Sequence, residues 1–179
     1  QKAYVEPFRA AGIEHVYWAP IGCSRELHDV PARERAVDVA YAGSFNPEEH
    51  GRRRDLLMQV RERFPNSRIG RCWPREMARI YAGAKIVVNA AYNRDVNMRV
   101  FEALASGALL ITDEAEGLEE LFEDGRDMVV YRNDADLPDI IAHYLENDAA
   151  RERIAEQGRE KVWREHTWDH RWRRMLEIS

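Results

Sequence analysis

The 179-residue chain has two cysteines, Cys23 and Cys72. A disulfide framework and a four-cysteine zinc site are therefore excluded, and the composition fits a reducing, cytoplasmic compartment. No apolar run approaches the ~20 residues that span a bilayer, which excludes a transmembrane helix. Ten glycines and seven prolines are too few for a collagen-like or linker-dominated chain. Six histidines offer no metal-ligand spacing beyond His166 and His170, which have no third ligand nearby, so no metal is expected. G-x-S-x-G, G-x-G-x-x-G and P-loop signatures are missing. Only Lys2, Lys85 and Lys161 supply lysine, and arginine supplies the other basic residues. The chain starts at Gln1 without a signal-peptide pattern and reads as a piece of a larger protein.

The net charge is −5, which argues against general nucleic-acid binding. The charge is unevenly placed. Residues 52–79 hold nine arginines against three acids, and residues 113–148 hold thirteen acids against two arginines. A basic half of this kind suits an anion such as a phosphate, although solvated helix faces explain it equally well.

Short apolar runs alternate with helical periodicity. Residues 37–42, 67–71, 85–90, 109–112 and 128–131 read as buried parallel strands. Helices are expected at 3–12, 52–64, 74–82, 97–106, 117–123, 138–146, 149–166 and 168–178, and a further strand at 15–19. Residues 21–35 read as a linker. The pattern predicts an α/β fold, a Rossmann-like parallel sheet with helices on both faces. Ligands of such sheets lie beyond the carboxyl ends of the strands, where the strand order switches. That edge carries residues 43–46, 71–73, 91–97 and 113–117.

The most informative run is Asn97-Met98-Arg99-Val100-Phe101-Glu102-Ala103-Leu104-Ala105-Ser106-Gly107 and the strand that follows it. Asn97 is a suitable N-cap, and Gly107 suits the C-terminal end. Amides at such a helix start favour phosphate. Arg99 and Glu102, three residues apart, also read simply as a surface ion pair.

The run Arg99–Asp113 resembles the donor-binding signature of sugar-nucleotide-dependent glycosyltransferases of the GT-B fold, and is closest to their CgeB-type, spore-maturation group. Residues 77–89, 117–127 and the final helices follow the same family pattern, so the resemblance covers about residues 37–178. It implies the C-terminal half of a GT-B fold. Residues 1–36 would be a remnant of the preceding region, 37–165 the Rossmann-like nucleotide-sugar domain, and 166–179 a crossing helix. It also implies a nucleoside-diphosphate sugar as donor, no cofactor, and a separate N-terminal domain that binds the acceptor.

By the same resemblance, Glu102 matches the second glutamate of an E-x7-E motif, which binds the ribose hydroxyls. The first acid is replaced by Arg94, so stereochemistry is not assigned. Asn97 and Arg99 fit an N-x-R variant. Gly43 and Ser44 would let the donor phosphate approach the backbone, Arg53 would meet the diphosphate, and Trp73 would border the base. Two readings of another kind stay open: a noncatalytic interaction or scaffold module, and a sugar-nucleotide epimerase. The stripe of Trp168, Trp172 and Met175 is expected to touch the first twenty residues, around Tyr17 or Trp18.

Overall fold

The computed structural model describes residues 1–31, 34–44, 47–91 and 93–178. Five strands form one parallel sheet: β1 (Val37–Ala42), β2 (Ser67–Gly70), β3 (Ala84–Asn89), β4 (Leu109–Asp113) and β5 (Val129–Tyr131). Their spatial order is β2-β1-β3-β4-β5. Val39 lies opposite Ser67 on one side and Ile86 on the other, and Asn89 lies opposite Thr112.

Every residue of β4 is buried, as a strand covered on both faces requires. Alternate side chains feed two cores. Val87 and Leu110 pack with Tyr81 of α4 (Pro74–Ala82), Phe101 and Leu104 of α5 (Met98–Ser106) and Val162 of α7 (Asp148–Glu165). Ile86, Val88, Leu109 and Ile111 point the other way. They meet Leu56, Leu57 and Val60 of α3 (Pro47–Arg63), Ile141 of α6 (Leu137–Glu146) and Ile154 of α7. Each such side chain contributes ~1.5–3 kcal/mol by leaving water.

Local signals set the helix that matters most. Asn97 adopts extended backbone, and its side chain accepts the Arg99 N–H at 3.1 Å, which starts α5. Gly107 ends α5 in the left-handed region, at φ +75°. Pro74 occupies the first turn of α4, where its missing N–H costs nothing.

Three expectations differ from the fold. The apolar residues 15–19 form no strand. Trp18 instead lies over Gly117, where a Cβ would stand 2.7 Å from its ring. The predicted 117–123 helix is a single 3-10 turn, Leu118–Glu120. The Glu123 N–H is taken by the Asp127 carboxylate at 2.9 Å, which turns the chain back. Within the expected linker, Arg25–His28 forms a short helix, α2, packed on α4 and α5.

The start of the chain, which includes the helix α1 (Val5–Ala10), and the last helix, α8 (Trp168–Ile178), meet across a cavity of about 780 Å³ lined by Tyr17, Trp18 and Met175, among others. Trp172 points to solvent. Cys23 and Thr167 form a parallel bridge between the two segments. Among the described residues no helix is long and apolar enough to cross a membrane.

His166, just before α8, is buried between Phe101 and Phe122. Burial and then the neighbouring Arg171 charge lower its pKa to about 4. The unfolded ring takes a proton near 6.5, so stability falls as pH drops below that value and levels off near 4. About 2 kcal/mol should be lost between pH 7.5 and 5 through this ring. Urea titrations of the parent chain and of His166→Asn will measure it: the variant should lack that part of the acid loss. Parallel curves would exclude the assignment.

Candidate functional site

The strand order reverses between β1 and β3, so their carboxyl ends open the crevice that such sheets use for ligands. Two arginines bridge it. Arg99, in the first turn of α5, donates through Nε and Nη2 to the Ala42 carbonyl at 3.1 and 2.8 Å, and through Nη1 to Asn89 Oδ1 at 2.7 Å. Its guanidinium also lies 4.2 Å from the Tyr41 ring centroid. Arg53, on α3, donates to the Ala90 carbonyl at 2.7 Å and to the Ser44 carbonyl at 3.2 Å. Both side chains fasten the end of β1 to the end of β3.

Gly43 fits this arrangement for a packing reason. Its φ is +155°, and a Cβ there would collide with Arg99 Nη2 and stand 2.9 Å from the Tyr41 hydroxyl. The space a side chain would fill is occupied by the guanidinium. Ser44 follows, and its hydroxyl accepts Arg71 Nη2 at 3.1 Å.

Asn97 performs two tasks: its Oδ1 caps α5, and its Nδ2 donates to Asn89 Oδ1 at 3.2 Å. Asn89 is the fully buried centre of this network, and its own Nδ2 donates to Thr112 at 3.0 Å. The sequence signal of Asn89 is only that of a polar residue closing an apolar strand, and it carries no motif.

Of the arginines at 52–54, Arg53 is the one whose described bonds reach the switch point. Arg52 instead pairs with Asp113 at 3.1 Å and with Asp134, beyond β4 and β5. Arg54 pairs with the adjacent Asp55.

Glu102 lies one turn beyond Arg99. Its side chain is 16% exposed. Burial raises its pKa, and the Arg99 charge opposes that shift. It lies within electrostatic reach of Cys72, which follows β2, and of Tyr81 on α4. His28 of α2 closes the other side, with its Nε2 3.8 Å from Glu102 Oε1. Trp73, the residue after Cys72, is 82% exposed. The ends of β1 and β3 thus bring together Gly43, Ser44, Arg53, Asn97 and Arg99, with Glu102 one turn along α5, while Trp73 stands exposed after β2.

Arg94, at the place of the first acid of E-x7-E, has a left-handed φ of +50°. With Asp95 it lines a separate cavity of about 450 Å³ beside the carboxyl ends of β4 and β5. Among the described residues, no group of three His, Cys, Asp or Glu side chains is placed to hold a metal ion.

Comparison with known proteins adds three findings. The family described as "Glycosyl transferase-like" matches residues 25–177. D-inositol 3-phosphate glycosyltransferase of Nocardioides sp. is 31% identical over 105 residues, 58% of this chain and 23% of that protein. Several solved structures superpose on 99% of the chain, and two of them illustrate the likeness. Staphylococcus aureus TarM, crystallised with fondaparinux, α-GlcNAc-glycerol and UDP, does so at a TM-score of 0.75 and 15% identity over 42% of its length. Sucrose-phosphate synthase of Thermosynechococcus elongatus does so at 0.70 and 17% identity over 55% of its length. The chain therefore spans about a quarter of the curated relative and about half of these structures.

Proposed function

The chain belongs to the glycosyl transferase-like family, and from that premise we propose that it is the donor-binding half of a GT-B glycosyltransferase. It would hold a nucleoside-diphosphate sugar whose sugar passes to an acceptor bound elsewhere in the protein. The observation that carries this reading is the pairing at the β1/β3 switch point of a helix start with a largely buried carboxylate one turn further on, Glu102.

The chemistry follows from position. A ribose presents two neighbouring hydroxyl donors, and an ionised carboxylate is an acceptor-only group with two oxygens. In the first turn of α5 the Arg99 amide is taken by Asn97 Oδ1 and the Val100 amide by the Asn97 carbonyl, so this helix start would favour phosphate oxygens chiefly through its dipole. Arg53 and Arg99 place two fixed positive charges beside that turn. They would stabilise the charge that builds on the departing diphosphate, without moving during the reaction. Trp73 would border the base. Transfer itself needs closure against the acceptor domain, so residues 1–179 alone should bind donor and transfer nothing.

The test is a thermal-shift and calorimetric panel of ADP, GDP and UDP against the chain. A ligand at 100 times its dissociation constant should add ~2.7 kcal/mol of stability. Binding by one of the three separates this reading from a scaffold module that has lost the site, for which Arg94 in place of the family acid is the argument. A panel in which none of them raises the melting temperature would overturn it.

A further inference from the structure

The α2 helix lies in a stretch without hydrophobic periodicity, yet it buries a titratable side chain beside Glu102. His28 is 3% exposed. Its Nδ1 accepts the Ser24 amide N–H at 3.1 Å. A neutral imidazole with Nδ1 accepting must carry its proton on Nε2. Burial lowers the pKa of the ring, which keeps it neutral in the physiological range.

That Nε2–H has no hydrogen-bond partner, although it is buried. A buried donor without an acceptor is unfavourable, and the exceptions call for a reason. The facing acceptor is Glu102 Oε1, at 3.8 Å. This is too long for a direct hydrogen bond. A small rotation of the glutamate side chain closes it.

We propose that His28 is a positioning residue for Glu102: its Nε2–H, held in that tautomer by the Ser24 amide, fixes the carboxylate in the rotamer that accepts the donor ribose. The inference rests on the donor-binding reading of Glu102. One carboxylate oxygen accepts the hydrogen bond from the imidazole Nε2–H while lone pairs on both remain for the two hydroxyls. The groups facing the pair are Arg99 on α5, Tyr81 on α4, Cys72 after β2 and Ser24 before α2. Arg99 is already bonded to Ala42 and Asn89 and supplies charge rather than a bond to Glu102. Orientation is left to His28. A donor on the charged form also favours ionisation, so His28 extends the pH range in which Glu102 accepts two hydroxyls.

A purely structural His28 would fill space between α2, α4 and α5, and two substitutions separate the cases. His28→Phe keeps the volume and removes the N–H. His28→Gln keeps an N–H near the position of Nε2. The affinity for whichever of ADP, GDP and UDP binds should fall roughly 3- to 10-fold in the Phe variant and return to within about 2-fold of the parent in the Gln variant. Carboxyl 13C titration of Glu102 gives a second readout that needs no ligand: its midpoint should rise in His28→Phe and not in His28→Gln. An unmoved titration in the Phe variant overturns the inference, whatever the nucleotide does. A moved titration with parent-like affinity in both His28→Phe and Glu102→Gln leaves the His28–Glu102 contact standing and overturns the ribose reading beneath it. A moved titration with affinity lost in Glu102→Gln and unchanged in His28→Phe overturns the positioning role alone.

Discussion

Glu102→Gln should weaken nucleoside-diphosphate binding by about 1.5–3 kcal/mol, the range for a hydrogen bond to a charged group. That corresponds to a roughly 10- to 150-fold rise in dissociation constant, read by calorimetry at pH 7.5. The amide keeps the shape of the carboxylate and replaces one acceptor with a donor, which faces ribose hydroxyls poorly. Stability should move the other way. Burial holds the folded pKa of Glu102 above its ordinary 4.5, so folding disfavours the ionised form. The stabilisation from the neutral form is complete in acid and is lost as pH rises through the folded pKa. At pH 7.5 the parent bears that cost and the Gln variant does not, so the variant should melt at the same temperature or higher. The gain should vanish below pH 4.5. A variant that binds normally and melts lower would assign Glu102 to the fold instead of the site.

The second large effect concerns a glycine of α7 packed on the back of α5 near Leu104. Gly158 is buried in α7, and a Cβ there would run into the Asp127 carbonyl and stand 2.7 Å from Leu104 Cδ2. Asp127 cannot give way freely, because its carboxylate binds Lys161 at 2.7 Å and caps the Glu123 amide at 2.9 Å. Gly158→Ala must therefore push α7 off α5. Overpacking of this kind costs up to ~3 kcal/mol, against ~1 kcal/mol gained in helix propensity. A net loss of ~2 kcal/mol lowers the melting temperature by roughly 4–8 °C in a chain of this size. Gly51, in α3, provides the comparison, since nothing lies within 4 Å of its added Cβ. Gly51→Ala should raise the melting temperature. Equal responses from the two glycines would refute the packing account.

These examples show where the sequence was readable. The strands around Val39, Val87 and Leu110 were legible because a sheet covered on both faces demands continuous apolar runs, and few other structures do. Asn97 and Gly107 announced the ends of α5 through chemistry local to each residue. Residues 15–19 carry the same kind of apolar signal, yet they stay largely at the surface, and the partial cover of Trp18 comes from its meeting with Gly117, a contact 99 residues distant in sequence. Such a partner leaves no local trace. The same limit applies in the site. The resemblance ties Gly43 to phosphate and Arg99 to an N-x-R pattern, and nothing nearby in sequence indicates that the arginine occupies the volume left by the glycine. Glu102 was singled out through the resemblance, since its spacing from Arg99 fits a surface ion pair equally well. His28 lay in a stretch without periodicity, and a four-residue helix is too short to produce one.

The manner in which Arg53 and Arg99 are held has a kinetic consequence. Arg52 is matched by the carboxylates of Asp113 and Asp134, so its charge is cancelled where it stands. The described hydrogen bonds of Arg53 and Arg99 go only to uncharged acceptors, the carbonyls of Ala42, Ser44 and Ala90 and the amide of Asn89. These bonds fix the two guanidiniums without neutralising them. Glu102, one turn further on, offsets part of that charge. On the donor-binding reading, an anionic nucleotide approaching from solution would be drawn towards the two arginines before any contact forms, as in diffusional steering. Added salt screens such a field over ~10 Å at 0.1 M. Its effect therefore falls on the rate of arrival, while the rate of departure is set by contacts that screening scarcely reaches.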